Sequence, residues 1–422
     1  MSADIIKVSR NTEDAPLSSF STQSVAFSHY NNLSAQLPID PKTGSLISGS
    51  LDDQTKQCLL NIQAIVESIG HRMHDVVRVN VYLKNIADLD TVNEVYASFF
   101  QHYVPTCTTL AVADLPLEGA YLQMDAVLSN GEGTYPQAAC ELVKIARNTQ
   151  NAPVSSLSTQ TVAFSHYNHI SAQLPIDPKS GNIVVGGAKE HAIQCLKNIK
   201  SILESIEVPL DDIVKVNIHV SSLDDLAAIN EVYTTFFPDS AIARSVGYMP
   251  ARSITVVEGL AMGALVQMDA TVSHGDGTPP QAVEDRHGIV IKANNTKAAP
   301  VSELSTQTVA FSHYNNISAQ LPLDPRIGAI VANGAKEQAM QCLENIKQVI
   351  EGVGHVMDDI VKLNIQLRYM ADLDVLNDVC AGYFEGALPA RTVIGVSDIP
   401  MGALVQIDAI ASNGEGTPPS SN

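Results

Sequence analysis

The chain has 422 residues, 45% of them hydrophobic, and a formal net charge of −20 at pH 7. This length predicts two to four domains, and a strongly acidic protein repels nucleic acid. No apolar run is long enough to span a membrane, and the N-terminus has Asp4 in place of a signal-peptide hydrophobic region. We therefore expect a soluble cytoplasmic protein with neither a nucleic-acid nor a membrane partner.

The six cysteines show no metal-binding or redox pattern. None forms a C-x-x-C pair, and no Cys/His cluster has the spacing of zinc ligands. The pattern predicts reduced thiols in a cytosolic protein, with no metal and no other cofactor. The cysteines are Cys58, Cys107, Cys140, Cys195, Cys342 and Cys380.

Two segments occur three times along the chain. Val25-Ala26-Phe27-Ser28-His29-Tyr30-Asn31 recurs from Val162 and from Val309, and Ser34-Ala35-Gln36-Leu37-Pro38 recurs from Ser171 and from Ser318. The first starts at positions 25, 162 and 309, so the offsets are 137 and 147 residues. A period of this size corresponds to a domain. With Gly-rich segments as boundaries, the predicted repeats are 1–137, 138–281 with an inserted loop at about 238–249, and 282–422.

Each repeat predicts the same elements in the same order. In repeat 1 these are a strand at Ile5–Val8, strands at Val25–Phe27 and Asn32–Gln36 joined by a turn, an amphipathic helix, an alternating strand at Val77–Leu83, a helix at Leu89–Phe100, and strands at Thr108–Ala113 and Tyr121–Leu128. The first helix places Cys58, Cys195 and Cys342 on its apolar face, so we expect them in the core. The predicted fold class is α+β, with the order β-β-β-α-β-α-β-β.

One face of each predicted sheet has nothing within its own repeat to cover it. Both helices fall on the other face, and an apolar sheet face must be buried against another layer. We expect the three sheets to cover one another around a pseudo-threefold axis, with sheets inside and helices outside. Because the repeats are covalently linked, this assembly is expected to form within a monomer.

The repeats resemble the Rid (YjgF/translation-inhibitor) family. The matching segments are Ser34 to Gly44, Asp212-Ile213-Val214-Lys215-Val216-Asn217, Asn230-Glu231-Val232-Tyr233, Pro250-Ala251-Arg252-Ser253 and Gly263-Ala264-Leu265-Val266-Gln267-Met268-Asp269-Ala270. The resemblance implies a chorismate-mutase-like fold, trimeric packing and clefts between neighbouring copies. It also implies a cofactor-free imine or enamine deaminase, which hydrolyses reactive 2-iminoacids to 2-oxoacids and ammonia.

The resemblance assigns substrate-binding residues one at a time. The carboxylate-binding arginine of the family matches Arg252 and Arg391, while Cys107 takes that position in repeat 1. A neutral thiol cannot replace a bidentate cation, so we expect no carboxylate at the cleft built on Cys107. The alternative for both arginines is a surface ion pair.

A serine and an asparagine complete the implied binding site in every repeat. The serines are Ser34, Ser171 and Ser318, and their alternative is a strand serine bonded to backbone. The asparagines are Asn93, Asn230 and Asn377, and their alternative is a helix cap.

Two departures from the family pattern leave the function open. Gln123, Gln267 and Gln406 stand where active deaminases carry glutamate, and Ser21, Ser158 and Ser305 replace a tyrosine. Glutamine can hydrogen-bond a water but cannot take its proton. The chain is therefore either a deaminase that uses these glutamines or a degenerate protein that binds small carboxylates without turnover. An RNA-cleaving translation inhibitor is disfavoured by the net charge.

The histidines of the repeated turn are the remaining candidates for catalysis. His29, His166 and His313 have no acidic partner at a fixed spacing. We expect a solvated hairpin tip in place of a catalytic site.

Overall fold

The computed structural model describes residues 6–101, 103–129, 144–237, 248–273 and 290–413. Within these ranges every repeat consists of one six-stranded sheet and two longer helices, so the predicted α+β class with three similar units is correct. The expected boundaries at 137/138 and 281/282, and most of the expected loop at 238–249, lie outside the described residues.

The elements follow the predicted order, with a pair of two-residue strands added before the first helix in repeats 1 and 3. Repeat 1 contains β1 (Val8–Arg10), β2 (Ser24–Phe27), β3 (Tyr30–Leu33), β4 (Ile39–Asp40), β5 (Ser45–Leu46), α1 (Leu51–Ser68), β6 (Val76–Leu83), α2 (Leu89–Phe99), β7 (Thr106–Ala111) and β8 (Leu122–Ser129). Repeat 2 contains β9 (Ile145–Arg147), β10 (Thr161–Phe164), β11 (Tyr167–Gln173), α3 (Ala188–Ser205), β12 (Ile213–Val220), α4 (Leu226–Phe236), β13 (Ala251–Val256) and β14 (Val266–Ser273). Repeat 3 contains β15 (Lys292–Asn294), β16 (Thr308–Phe311), β17 (Tyr314–Gln320), β18 (Leu323–Asp324), β19 (Ala329–Ile330), α5 (Ala335–Glu351), β20 (Ile360–Leu367), α6 (Leu373–Ala381), β21 (Ala390–Gly395) and β22 (Val405–Ser412).

The three sheets share one topology. In repeat 1 the spatial order is β1-β2-β3-β8-β6-β7, and the other repeats have the same order of equivalent strands. Only the last pair, β6 with β7 and its equivalents, is parallel. The helix between these two strands supplies the crossover that a parallel pair requires. The last strand of the order, which carries Cys107, Arg252 or Arg391, therefore lies at an edge of its sheet.

Each pair of helices packs on its own sheet and forms a separate core. The apolar stripe of α1 meets β6 and β8, and α3 and α5 do the same in their repeats. Cys58, Cys195 and Cys342 are fully buried in these cores, as their helical spacing predicted. Among the described helices, none combines the length and hydrophobicity needed to cross a bilayer.

The opposite faces of the three sheets contact one another. One shared apolar cluster contains Phe27, Tyr30 and Val77 together with their equivalents from the other two repeats, and a second contains Leu110, Val257 and Ile394. Three tyrosine hydroxyls donate hydrogen bonds between repeats: Tyr30 to the carbonyl of Phe164, Tyr167 to that of Phe311, and Tyr314 to that of Phe27. These bonds join repeat 1 to 2, 2 to 3 and 3 to 1.

The repeated Ser-His-Tyr-Asn hairpin is buried, so the expectation of a solvated tip was wrong. The turn is limited to Ser28 and His29, because β3 already begins at Tyr30. His29 is only 4% exposed, and burial lowers its pKa to about 4. The His166 and His313 rings lie 6.3 Å apart. The tip is largely buried because the three hairpins contact one another, although His166 and His313 remain partly exposed.

A cavity of about 150 Å³ lies between the sheets and is lined by charged, polar and apolar side chains from all three repeats. Each repeat contributes a cation that pairs with an aspartate of another repeat: Arg78 with Asp269, Lys215 with Asp408, and Lys362 with Asp125. The aspartates also accept hydrogen bonds from asparagine, serine and threonine side chains, and His219 contacts Asp269 at 3.1 Å. The ion pairs are buried, so removing one partner would leave an uncompensated charge between two repeats.

Candidate functional site

The edge strand of each repeat is fixed against a serine of another repeat. The backbone amide of Arg252 donates to the Ser318 hydroxyl at 2.9 Å, and that of Arg391 donates to the Ser34 hydroxyl at 2.8 Å. In the same way the amide of Cys107 donates to Ser171 at 2.9 Å. The three contacts define what we call the Arg252 seam, the Arg391 seam and the Cys107 seam. They pair repeat 2 with 3, repeat 3 with 1, and repeat 1 with 2.

The hydroxyl of each seam serine forms its hydrogen bonds with backbone groups. Besides accepting from the neighbouring strand, each hydroxyl donates at 2.6 Å to a carbonyl of its own repeat, which belongs to Thr22, Thr159 or Thr306. This is the backbone-bonded arrangement that the sequence left as the alternative to a ligand contact. The serines therefore position the strand that carries each arginine.

Arg252 is buried, and one of its guanidinium donors is unpaired among the described residues. It is 5% exposed; its Nη2 donates to Asn230 Oδ1 at 2.5 Å, and its guanidinium carbon lies 4.6 Å from the centroid of the Tyr233 ring. Its Nε has no hydrogen-bond partner among the described residues, and no described carboxylate lies within ion-pair distance. Burial lowers the pKa of Arg252, the direction expected for a cation without a counter-ion.

Arg391 occupies the equivalent place with different neighbours. Its guanidinium contacts the Cys380 thiol and lies 5.9 Å from the centroid of the Phe20 ring, which belongs to repeat 1. Its Nη1 is buried without a partner in the described part of the chain. The same is true of Oδ1 of Asn377, which lies on α6. Burial lowers the pKa of Arg391 as well. The side chain is half-buried, and so more accessible than Arg252.

The Cys107 seam has no cation at this position. The Cys107 sulfur lies 3.6 Å from the Thr109 hydroxyl, and burial raises the pKa of the thiol. Asn93, on the helix of the same repeat, is half-buried. A neutral thiol offers no charge to a carboxylate, which is the arrangement that the sequence predicted for this cleft.

The glutamines lie against the same edge strands. Gln123 Nε2 donates to the Val393 carbonyl at 2.6 Å, and Gln406 Nε2 donates to the Ile254 carbonyl at 2.8 Å. Each acceptor is two residues beyond an arginine. Gln267 has the same strand position in repeat 2, and its buried Oε1 has no partner among the described residues. The amide nitrogen thus stabilises the seam, while the amide oxygen is the group that can accept from a water.

The chemical capacity of the arginine seams follows from their unpaired donors. A buried donor without an acceptor costs about 1–3 kcal/mol, and a carboxylate can satisfy two guanidinium donors at once. A bound carboxylate would also supply the counter-ion that each arginine lacks. In the described ranges no group of three or more His, Cys, Asp or Glu side chains is arranged to hold a metal ion.

Sequence reasoning missed three residues that surround the arginines. Tyr233 stacks on Arg252, Cys380 contacts Arg391, and Phe20 reaches Arg391 from another repeat. The first two could have been found, because each lies three residues after a predicted site asparagine and so on the same helix face. Phe20 gives no such signal, since its proximity depends on the packing of repeat 1 against repeat 3.

Comparison with known proteins identifies the repeated unit. The family model described as endoribonuclease L-PSP matches residues 12–128, 149–274 and 296–413. A RutC family protein of Pyrococcus horikoshii is 38% identical over 106 residues, which cover 25% of this chain and 84% of that protein. A mouse protein named 2-iminobutanoate/2-iminopropanoate deaminase is 35% identical over 121 residues, which cover 29% of this chain and 90% of that protein.

A solved structure was also found to be similar in sequence. A Rid family protein from Yersinia pestis is 35% identical and covers 29% of this chain and 99% of its own, with a TM-score of 0.29. The three family matches together span most of the sequence. The chain therefore belongs to the endoribonuclease L-PSP, or Rid, family and carries three tandem copies of its domain.

Proposed function

We propose that this protein is an imine or enamine deaminase that binds small carboxylate substrates at the Arg252 and Arg391 seams. The proposal is carried by one observation: each of these arginines is held at a seam with a guanidinium donor that is buried and unpaired. The deaminase names of relatives such as the mouse protein support the same class of substrate. The ligand expected at each seam is a 2-imino or 2-oxo acid.

The proposed reaction is hydrolysis of a carbon–nitrogen double bond. The arginine holds the carboxylate, and water adds to the adjacent imine carbon, breaking the C=N π bond and forming a carbinolamine. That intermediate loses ammonia and leaves a 2-oxoacid, so one water is consumed for each imine. Gln123 and Gln406 can orient the water through their amide oxygens, but the proton of the water has to pass to solvent or to the leaving nitrogen.

Binding without turnover is the second candidate, and the glutamines favour it. All three repeats lack the carboxylate that could take the proton of the water. A seam that retains its arginine would still bind a 2-oxoacid in this case. The net charge of −20 continues to disfavour the RNA-cleaving alternative, which requires salt-sensitive RNA binding.

We also propose that the three repeats take the places of three subunits around a pseudo-threefold axis. The cyclic pairing of the seams and the shared apolar clusters support this arrangement. The protein would then be a monomer of 45.0 kDa, and an apparent mass near three times that value would contradict it. The free thiols of the described cysteines support a reducing, cytoplasmic location.

The test uses 2-iminopropanoate generated in the assay by an amino-acid oxidase. We expect micromolar protein to accelerate loss of the imine, the Arg252→Ala, Arg391→Ala double variant to abolish the acceleration, and Cys107→Ser to retain it. Equilibrium dialysis with 2-oxobutanoate separates the two candidates. Binding without acceleration supports the non-catalytic protein, and the absence of both acceleration and binding contradicts the whole proposal.

A further inference from the structure

The two arginine seams differ in the residues that surround the guanidinium. The same backbone scaffold builds both, so the difference lies in side chains. Threonines anchor the loop that precedes each seam serine: Thr22 bonds to the Leu388 and Pro389 carbonyls, and Thr306 bonds to the Met249 carbonyl. At the third seam Thr159 makes the same contacts with the segment before Cys107.

The anchored loop delivers a different residue to the Arg391 seam. The residue two positions before each threonine is Phe20, Leu157 or Leu304 in repeats 1, 2 and 3. Only the Arg391 seam therefore receives an aromatic side chain from this loop. The Phe20 ring lies 5.9 Å from the guanidinium carbon of Arg391 and is 37% exposed. It is placed to contact both the arginine and a molecule bound to it.

The helix beside each seam differs at a second position. Three residues after the site asparagine, repeats 1 and 2 have Tyr96 and Tyr233, whereas repeat 3 has Cys380. The Tyr233 ring is fully buried and stacks on Arg252. At the Arg391 seam a thiol replaces that phenol ring. Arg391 is correspondingly half-buried, and Asn377 Oδ1 is left without the kind of bond that joins Asn230 to Arg252.

We propose that the Arg391 seam is adapted to carboxylates with a large apolar or aromatic side chain, and that Phe20 and Cys380 determine this specificity. The Cys380 side chain is smaller than the Tyr233 ring that stacks on Arg252, and the partly exposed Phe20 ring provides an apolar surface on which a side chain can pack. The Arg252 seam is confined to small side chains. This inference rests on the proposed function, because it requires Arg391 to bind the carboxylate.

The test isolates each seam and compares a small with a large probe. Equilibrium dialysis measures binding of 2-oxopropanoate and 2-oxo-3-phenylpropanoate to the full chain carrying either Arg252→Ala or Arg391→Ala. We expect the Arg252→Ala chain, which keeps the Arg391 seam, to prefer the phenyl compound. The Arg391→Ala chain should bind the small compound and bind the phenyl compound about tenfold more weakly than the Arg252→Ala chain does, since a tenfold change corresponds to the loss of one good apolar contact.

Two substitutions in the Arg252→Ala chain then test the named residues. Phe20→Leu and Cys380→Tyr install what the other repeats have. Each should lower the ratio of phenyl-compound affinity to small-compound affinity about 3- to 10-fold, the range expected for one aromatic contact. Leu157→Phe makes a matched change at the seam that lacks arginine, and it should alter neither affinity.

The outcomes separate the specificity from the function on which it rests. Equal preference in the two single-seam chains, or no effect of Phe20→Leu, overturns the inference and leaves the proposed function intact. Failure of both chains to bind either oxoacid overturns the proposed function itself. Phe20 is partly exposed, so Phe20→Leu decides the matter if Cys380→Tyr does not fold.

Discussion

The Cys107 seam and the Arg252 seam have the same residue types at the serine, asparagine and tyrosine positions and differ at the position of the arginine. Both seams have the helix pair of an asparagine and a tyrosine three residues apart, Asn93 with Tyr96 and Asn230 with Tyr233. Both also have the serine that fixes the edge strand. Under the proposed function, the lack of a carboxylate site in repeat 1 follows from Cys107.

Restoring the cation should restore the site. In Cys107→Arg we expect the number of 2-oxobutanoate molecules bound per chain to rise from two to three, because Tyr96 and Asn93 can hold a guanidinium as Tyr233 and Asn230 do. Equilibrium dialysis at saturating ligand measures this number. Cys107→Ser is the matched control and should remain at two. An unchanged count in a folded Cys107→Arg protein would show that the repeat 1 cleft differs in more than its charge.

The sequence predicted which residues lie at the seams better than it predicted the hydrogen-bond partners of those residues. The arginines, serines and glutamines do lie together at seams, but the serines bond to backbone and the glutamine nitrogens bond across repeats. These partners could not be predicted, because they lie more than 250 residues away along the chain in the case of Ser34 and Gln123. The burial of the repeated hairpin could not be predicted for the same reason.

Edge strands are the elements on which the site depends. An edge strand presents unpaired backbone groups, and here the seam serine and the adjacent chain satisfy them. The amide of Ala35 donates to the Arg391 carbonyl at 2.9 Å, next to the bond between Arg391 and Ser34. The arginine is thus held by its own backbone, and the side chain remains available.

Removing one seam hydroxyl should loosen one site. Ser34→Ala leaves the Arg391 amide and the Thr22 carbonyl without their bonds, so we expect the free energy of unfolding to fall by about 1–3 kcal/mol. Binding at the Arg391 seam should weaken while the Arg252 seam keeps its affinity. Urea denaturation and dialysis in the Arg252→Ala and Arg391→Ala chains measure the two effects. Equal weakening at both seams would contradict a local role for Ser34.

Local sequence patterns predicted whether each major element is a helix or a strand, but they did not predict every residue at which a strand begins. The alternation in Val77–Leu83 and the helical spacing around Cys195 match β6 and α3. The strand predicted at Asn32–Gln36 instead begins at Tyr30, and the one predicted at Thr108–Ala113 begins at Thr106. In both strands the added first residue pairs within the same repeat, Tyr30 with Phe27 and Thr106 with Arg78. The strand ends are therefore set by pairing with neighbouring strands, which the alternation of residues does not encode.

The centre of the whole molecule is a polar layer between two apolar clusters. The layer is not symmetric, because repeat 2 places His169 where repeats 1 and 3 have Asn32 and Asn316. Burial, with a smaller effect of Arg78, lowers the pKa of His169 to about 3, while Asp269 acts in the opposite direction. Neither ring nitrogen has a hydrogen-bond partner among the described residues.

This histidine should make the protein sensitive to acid. The unfolded chain takes up a proton at His169 below about pH 6.5, and the folded protein does so only near pH 3. The free energy of unfolding is therefore unaffected by this ring above pH 6.5, and it decreases as the pH falls below that value. Between pH 6.5 and 5 the loss is about 2 kcal/mol at 1.36 kcal/mol per pH unit.

The substitution that tests this makes repeat 2 match its siblings. In His169→Asn we expect the difference in unfolding free energy between pH 7 and pH 5 to shrink by about that 2 kcal/mol. Urea denaturation at the two pH values measures it. His191→Asn, in the first helix of repeat 2 and outside the central cavity, is the control. An unchanged pH dependence in His169→Asn would mean that the ring is hydrated and titrates normally.

The sequence by itself determined the threefold repetition, the α+β order of elements, the buried helix cysteines and the absence of an arginine at position 107, because each is set by local pattern or residue identity. The tertiary structure decided which repeat faces which, that the repeated hairpin is largely buried, and that Phe20 lies beside Arg391. These features arise where sheet faces and edges that no single repeat can cover pack on one another. Contacts of that kind join distant parts of the chain and leave no periodic trace in it.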